Sequence, residues 1–284
     1  LTPSSGFWLL LAAFFFIVDS SMRGGGISPW FSIILKVLPA LLVLTLLFWG
    51  FLDHLAVVME FNQRSSRFIV ELYAHIGLSF AAVSAATLIG VPLGVSAWRK
   101  KRMEKTIFSL VNGLQTIPNL ALFGLMIAPL SMLSHAFPLL RTWGIKGVGN
   151  APALIALTLY SLLPIVRNTY TALAMIPEAV IDAGVGLGMS KNHVLQYIEV
   201  PMAFPIVLGG IRVAAVLTIG NTAVAALIGA GGLGNFVFQG LGQAAPDLIV
   251  MGVIPIILLA VFADRMFGLL ISVLSPYGTV EEAK

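Results

Sequence analysis

"DAGVGLGMSKNHVLQYIEVP", residues 182–201, is a polar, glycine-rich stretch set between "ALIALTLYSLLPIV" (153–166) and "MAFPIVLGGIRVAAVLTIG" (202–220). These runs belong to apolar stretches at 151–170 and 202–227, each long enough for a helix to cross roughly 30 Å of hydrocarbon. The polar stretch therefore joins two membrane-spanning helices, and the rest of the chain agrees with that setting. Of its 284 residues, 58% are hydrophobic and 10% charged, whereas a soluble domain carries roughly 25% charged residues. The composition excludes a soluble globular fold and defines an all-α polytopic membrane protein. No cysteine is present, which removes disulfides, thiol catalysis and thiolate metal sites. Four scattered histidines lack ligand spacing, so no metal site is expected, and a net charge of +4 reflects topology, with no nucleic acid implied.

About seven spans follow along the chain, at 7–18, 31–52, 68–98, 106–130, 151–170, 202–227 and 248–270. The first lacks the basic flank and small-residue cleavage site of a secretory signal and is read as a short or truncated helix. Leu1 in place of an initiator Met points to removal of an upstream part. Placing Arg99, Lys100, Lys101, Arg102 and Lys105 in the cytoplasm also puts Arg23, Lys36, Arg167, Lys191, Arg265 and Lys284 inside or at that border. Arg64, Arg67, Arg141 and Lys146 then fall outside, and Arg212 lies within a span. This bias satisfies the positive-inside rule. The N-terminus is expected outside, and residues 182–201 fall in the cytoplasm.

Within that loop, Pro177 suits the first turn of a short helix, with Glu178 and Asp182 near its positive end. Gly184, Gly186 and Gly188 permit a sharp bend or a close backbone approach, and Ser190 can cap a second short helix. Val194, Leu195 and Ile198 give that helix an apolar stripe, and Pro201 is expected to disrupt helix hydrogen bonding at the membrane entrance. The pattern describes two short helices around a glycine bend. It fits docking against a cytoplasmic partner, an interfacial helix lying on lipid, or a long connector.

The same residues resemble the cytoplasmic coupling loop of membrane subunits of type I ABC importers: Glu-Ala-Ala, three residues, Gly, nine residues, Ile, any residue, Leu, Pro. Asp182, Ala183 and Gly184 take the first three positions, Gly188 the glycine, Ile198 the isoleucine, and Val200 and Pro201 the end, with Met189 and Ser190 inside the loop. Asp replaces Glu with a shorter arm, and Gly replaces the third-position Ala at a cost of up to about 1 kcal/mol in helix stability. "QTIPNLALFGL" (115–125), "LPIVRNTYTAL" (163–173), "VPMAFPIVLGGIR" (200–212) and "ALIGAGGLGNFVFQGL" (226–241) are similar to the osmoprotectant branch of that family, which imports glycine betaine, choline, carnitine and related quaternary amines. Methionine and sulfonate importers share much of the scaffold.

The resemblance implies a five-helix permease core at 68–274 with its coupling loop at 176–201. N-terminal spans and an external loop precede it at 1–67, and a cytoplasmic tail follows at 275–284. It also implies a bacterial inner-membrane location and three kinds of partner. These are a second membrane subunit, identical or homologous; a pair of ATP-binding subunits; and an extracytoplasmic substrate-binding protein. ATP-driven closure of the ATPase pair would move the coupling loop and switch the pathway between inward- and outward-facing states. This chain contains no G-x-x-x-x-G-K-[ST] phosphate loop, so it is expected to be no enzyme and to hold no cofactor, ATP and Mg²⁺ belonging to the partner ATPase. A secondary transporter would predict repeated halves, and a membrane enzyme convergent nucleophile, base or metal ligands; neither pattern is present.

"GAGGLG" at 229–234 matches the dinucleotide pattern letter for letter, but that reading needs a preceding strand, whereas a predicted span precedes it here. Gly229, Gly231, Gly232 and Gly234 are read as a tight external or re-entrant turn. Polar residues at membrane depth are functional candidates: Asn112, Gln115 and Thr116 before Pro118, and Asn221 and Thr222 later. Each fits either a pathway wall or an interhelical hydrogen bond. Arg212 and Asp264 are read as lying nearer helix ends, with Arg212 snorkelling to the interface. Glu71 and His75, four residues apart, are placed to pair on one helix face. Trp98, Trp143 and Tyr170 serve as interfacial anchors.

Overall fold

The computed structural model describes residues 55–275, together with Thr45 and Trp49. The spans expected at 7–18 and 31–52, and the tail beyond Ser275, lie outside the described residues. Among the described residues the regular structure is entirely helical: α1 (Ala56–Arg99), α2 (Lys101–Thr116), α3 (Asn119–Ala136), α4 (Pro138–Thr142), α5 (Asn150–Ala174), α6 (Glu178–Gly186), α7 (Lys191–Val194), α8 (Val200–Ala225), α9 (Gly234–Gly242) and α10 (Pro246–Leu274). Among the described residues, five stretches are long and apolar enough to cross a membrane: α1, α3, α5, the continuous helix Lys191–Ile228 that contains α7 and α8, and α10.

The span expected at 106–130 is two helices. Ile117, preceding a proline, is held in an extended conformation (φ −77°, ψ 125°), because the Pro118 ring disfavours helical geometry at the residue before it. Helix α3 then starts at Asn119 and runs past the expected end to Ala136. The hydroxyl of Tyr160 on α5 donates to the carbonyl of Ile117, and Gln115 Nε2 donates to the Tyr160 carbonyl at 3.1 Å. The break is thereby fastened to α5 from both sides.

By compactness the described chain forms two units, the residues up to Val70 with Phe236–Ile254, and Glu71–Asn235 with the residues from Pro255. In the first, Phe68 lies between Phe61 (5.1 Å, edge-on) and Phe236 (6.0 Å), and the Arg67 guanidinium sits 5.8 Å over the Phe236 ring. In the second, α5 is the central post. Its outer part packs with Leu78, Ala82, Phe123 and Ala225, its middle with Ala86, Ile107, Val111 and Ala214, and its inner end with Ala203. With no hydrophobic drive between helices in lipid, close packing and interhelical hydrogen bonds must supply cohesion. Small residues permit that approach. A Cβ on Gly94 would lie 2.6 Å from Thr169 Cβ and one on Gly210 would lie 2.6 Å from Asn168 Cβ. Two hydroxyl rungs add to it, Ser79–Thr222 at 2.8 Å and Ser161–Thr218 at 2.6 Å.

Candidate coupling loop and membrane pathway

The loop after α5 begins at Pro177, which stands just outside α6 in an extended conformation (φ −62°, ψ 133°), one residue earlier than the first-turn position expected. Helix α6 then ends in a hydrogen-bonded C-terminal motif. Gly188 N donates to the Val185 carbonyl (2.9 Å) and Met189 N to the Gly184 carbonyl (3.1 Å), with Gly188 at φ +84°. This is the Schellman arrangement, which requires a left-handed residue after the cap. A Cβ on Gly188 would meet nothing within 4 Å. The backbone thus supplies a reason for glycine at 188 that needs no docking partner.

Gly184 has the opposite reason. It is buried, and a Cβ there would stand 2.7 Å from Ile198 Cδ1, 3.4 Å from Met189 Sδ and 3.5 Å from Val194 Cγ2. The alanine expected by family pattern at this position would displace Ile198, and Gly184 instead lets the second helix close onto the first. Ser190 caps that helix, its hydroxyl accepting from His193 N at 3.4 Å, and Val194 is buried in the seam. Together these contacts fold residues 178–199 into a compact helical hairpin. Its outer surface presents Asp182, Ala183, Val185 and Leu187, the last 85% exposed. Asp182 makes no hydrogen bond or ion pair among the described residues.

Pro201 does not interrupt the chain's helical course. A five-residue π turn, Leu195–Glu199, carries α7 directly into α8, with Val200 N donating to the Leu195 carbonyl. In an i→i+5 turn the hydrogen-bond ladder shifts by one residue, and Pro201, second in α8, falls where its missing N–H is tolerated. The result is one helix of 38 residues, Lys191–Ile228, running from the loop through the membrane.

At the other end of that helix, Gly229, Gly231 and Gly232 adopt φ +77°, +76° and +92°. Helix α8, not a strand, precedes this turn, so the dinucleotide-binding arrangement is absent here. Glu71 on α1 grips the turn, accepting from Gly232 N and from Asn235 Nδ2, both at 2.7 Å. His75 Nε2 lies 3.0 Å from the Ile219 carbonyl. The expected Glu71–His75 pair is therefore replaced by two separate ties, because the glycine turn and α8 offer better-placed partners than the neighbouring helical turn. A Cβ on Gly234 would overlap the Ala223 carbonyl, whereas one on Gly113 would meet nothing within 4 Å. Gly234→Ala should lower the thermal unfolding midpoint in detergent by several degrees, as a loss of about 1–3 kcal/mol from overpacking does, while Gly113→Ala should not lower it.

The polar candidates at membrane depth separate. Gln115 and Asn221 line a common cavity of about 200 Å³ with Tyr160, Ser161, Leu217 and Thr218. Asn112 and Thr116 are exposed on α2 outside it, Thr116 bonding back to the Gly113 carbonyl at 2.7 Å. Thr222 is fully buried, bonded to Ser79 and to the Thr218 carbonyl, and belongs to the helix packing. Arg212 stands in the middle of α8 and does not snorkel. Its Nε and Nη2 donate to Asp264 Oδ1 and Oδ2 at 2.6 and 2.7 Å. The bidentate geometry satisfies both charges locally, and the sequence signal for it was a lone basic residue in the 202–227 span and an acidic residue, beside Arg265, in the 248–270 span.

The continuous helix Lys191–Ile228 thus joins the exposed hairpin to a stretch long and apolar enough to cross a membrane. Comparison with known proteins specifies the class. Residues 86–274 match the family described as binding-protein-dependent transport system inner membrane component, and the chain belongs to that family. It is 43% identical over 206 residues to the osmoprotectant import permease protein OsmW of Salmonella typhimurium, covering 72% of this chain and 91% of that one. It is 35% identical over 222 residues to the choline transport system permease protein OpuBB of Bacillus subtilis, covering 78% and 95%. Among solved structures, a chain of the inward-facing MetNI methionine ABC transporter superposes with a TM-score of 0.62 at 20% identity, covering 72% of this chain and 95% of that one. The fold is that of a type I ABC importer permease, and the protein resides in the inner membrane.

Proposed function

We infer that this chain is the permease subunit of an ATP-driven importer for quaternary-amine osmoprotectants such as glycine betaine, choline or carnitine. The observation that carries the coupling role is the unbroken Lys191–Ile228 helix: any push on the hairpin moves α8 as one body. Asp182, Ala183, Val185 and Leu187 form the face that seats on an ATP-binding subunit, where small residues allow close approach and the free carboxylate finds a cation or backbone N–H. Two ATP-binding subunits, binding ATP and Mg²⁺ themselves, drive the hairpins of two membrane subunits, and an extracytoplasmic binding protein delivers the solute. The solute passes the cavity between Gln115 and Asn221, a neutral polar setting suited to brief contact. The substrate class is supported by relatives named for osmoprotectants, choline, carnitine and glycine betaine at 33–43% identity. A related importer for an amino acid or sulfonate is the competing reading, since the fold is also that of a methionine transporter.

Both parts are open to measurement in the reconstituted complex. Labelled glycine betaine, choline and carnitine should accumulate in proteoliposomes only with ATP, ATPase and binding protein present, and the isolated permease should show no ATP hydrolysis. Hydrolysis by the isolated chain would reject the subunit reading. A cognate binding protein that ignores quaternary amines but binds methionine or a sulfonate would move the substrate to the other branch.

A further inference from the structure

Helix α2 carries a stripe that the fold does not use. Ile107 and Val111 bury one side of α2 against the α5 core, and Phe108 meets Tyr170 edge-on at 5.3 Å. The one carboxylate on the helix, Glu104, is directed at Tyr170. On the opposite side, at helical spacing, stand Lys101, Arg102, Lys105, Ser109, Asn112 and Thr116, all exposed. Among the described residues none of the three cations makes an ion pair, and neither Ser109 nor Asn112 makes a side-chain hydrogen bond. Successive residues i, i+4, i+7 and i+11 lie along one helix face, so Lys105, Ser109, Asn112 and Thr116 run as a continuous polar line. That line starts at the cytoplasmic cations and ends one residue from Gln115, which lines the cavity of about 200 Å³.

Polar side chains at membrane depth face a bundle interior or a water-filled cavity, not lipid. A lipid-facing α2 would instead present apolar residues on this side, as it does next to the stripe at Leu110, which is 64% exposed. We propose that the polar face of α2 is a wall of a water-filled inner vestibule, and that Lys101, Arg102 and Lys105 form its cation-repelling mouth. This rests on the permease reading above and gives that pathway a charge-selective inner end. Rings of Lys and Arg admit anions and exclude cations in pores. Here they keep cytoplasmic inorganic cations from entering an inward-open pathway. Zwitterionic glycine betaine or carnitine leaving it feels little net force, whereas cationic choline meets a barrier, so the mouth favours the zwitterionic members of the substrate class.

The chain has no cysteine, so each introduced thiol in it is unique. In the complete, nucleotide-free complex on cysteine-free partners, Ser109→Cys, Asn112→Cys and Thr116→Cys variants should react with membrane-impermeant methanethiosulfonates, and Leu110→Cys should not. At Ser109→Cys the ratio of labelling rates, anionic sulfonatoethyl reagent over cationic trimethylammonium reagent, should be about 10-fold higher than on free cysteine, the scale on which a charged cleft concentrates counter-ions. Neutralising the mouth as K101Q/R102Q/K105Q, or raising the salt, should erase that preference. Labelling of Leu110→Cys alone would put the stripe against protein or lipid and overturn the vestibule. Labelling of Ser109→Cys with a reagent preference unmoved by the triple substitution would overturn the mouth. ATP-dependent uptake by the same variants separates the two layers: retained uptake with failed labelling removes only the vestibule, and a wild-type complex without uptake removes the permease reading beneath it.

Discussion

Gly188→Asp is expected to abolish uptake while leaving membrane insertion intact, and Gly188→Asn to retain most of it. The pair separates two demands on one position. Gly188 sits at φ +84°, where a β-branched residue costs about 1–2 kcal/mol but Asn and Asp are tolerated far better than other side chains. Both replacements therefore preserve the motif that ends α6, and open space lies around the Cβ. They are nearly the same size and differ in charge. Loss confined to Asp means that a carboxylate at position 188, unlike the one at Asp182, finds no partner when it is desolvated against the ATPase. Loss with both means that the docked surface has no room for any side chain. Normal uptake by Gly188→Asp, with the ATPase still required, would reject the coupling assignment. Crosslinking of hairpin to ATPase and insertion yield in membranes are the accompanying measurements.

Asp264→Ala should be the most damaging single change within the spans. It strands the Arg212 guanidinium in the middle of α8, and an unpaired charge at mid-membrane costs on the order of 2.5–3.5 kcal/mol. Recovery of folded protein should fall several-fold and its unfolding midpoint drop by several degrees. The double substitution R212L/D264L should restore much of this, since it removes both charges together and leaves apolar side chains on two membrane-spanning helices. If Asp264→Ala unfolds at the wild-type temperature, the pair is a feature of surface chemistry and not of helix assembly. Uptake by the double variant then shows whether the pair serves transport as well as assembly.

The spans at 68–98, 151–170, 202–227 and 248–270 were legible because hydropathy depends on composition over twenty residues. The hairpin was legible for a different reason: Gly188, Ser190 and the Val194 stripe are local signals, each acting within a few residues of itself. What could not be read was every choice decided by a distant partner. Glu71 and His75 look like a helical pair until the glycine turn, some 160 residues on, supplies two donors to the carboxylate. Thr222 looks like its neighbour Asn221 until Ser79 on α1 absorbs its hydroxyl. Arg212 and Asp264 were visible as charges but not as partners, because two helices far apart in sequence set the distance between them. Pro201 misled in the other direction. Proline is ordinarily a break, and only the wide turn before it reveals that the helix goes on.

That wide turn sets the angular phase between two working surfaces. A π turn carries one residue more than an α-helical turn would need, so everything beyond it is rotated by about 100°, one residue's share of the 3.6-residue period. The side of α8 that packs on α5 and the side of the hairpin that carries Leu187 therefore hold their mutual bearing through Leu195–Glu199. Transport subunits of this build would tolerate exchange of side chains along that segment more readily than the loss of a single one, because a deletion there would turn the whole hairpin away from whatever it is meant to meet.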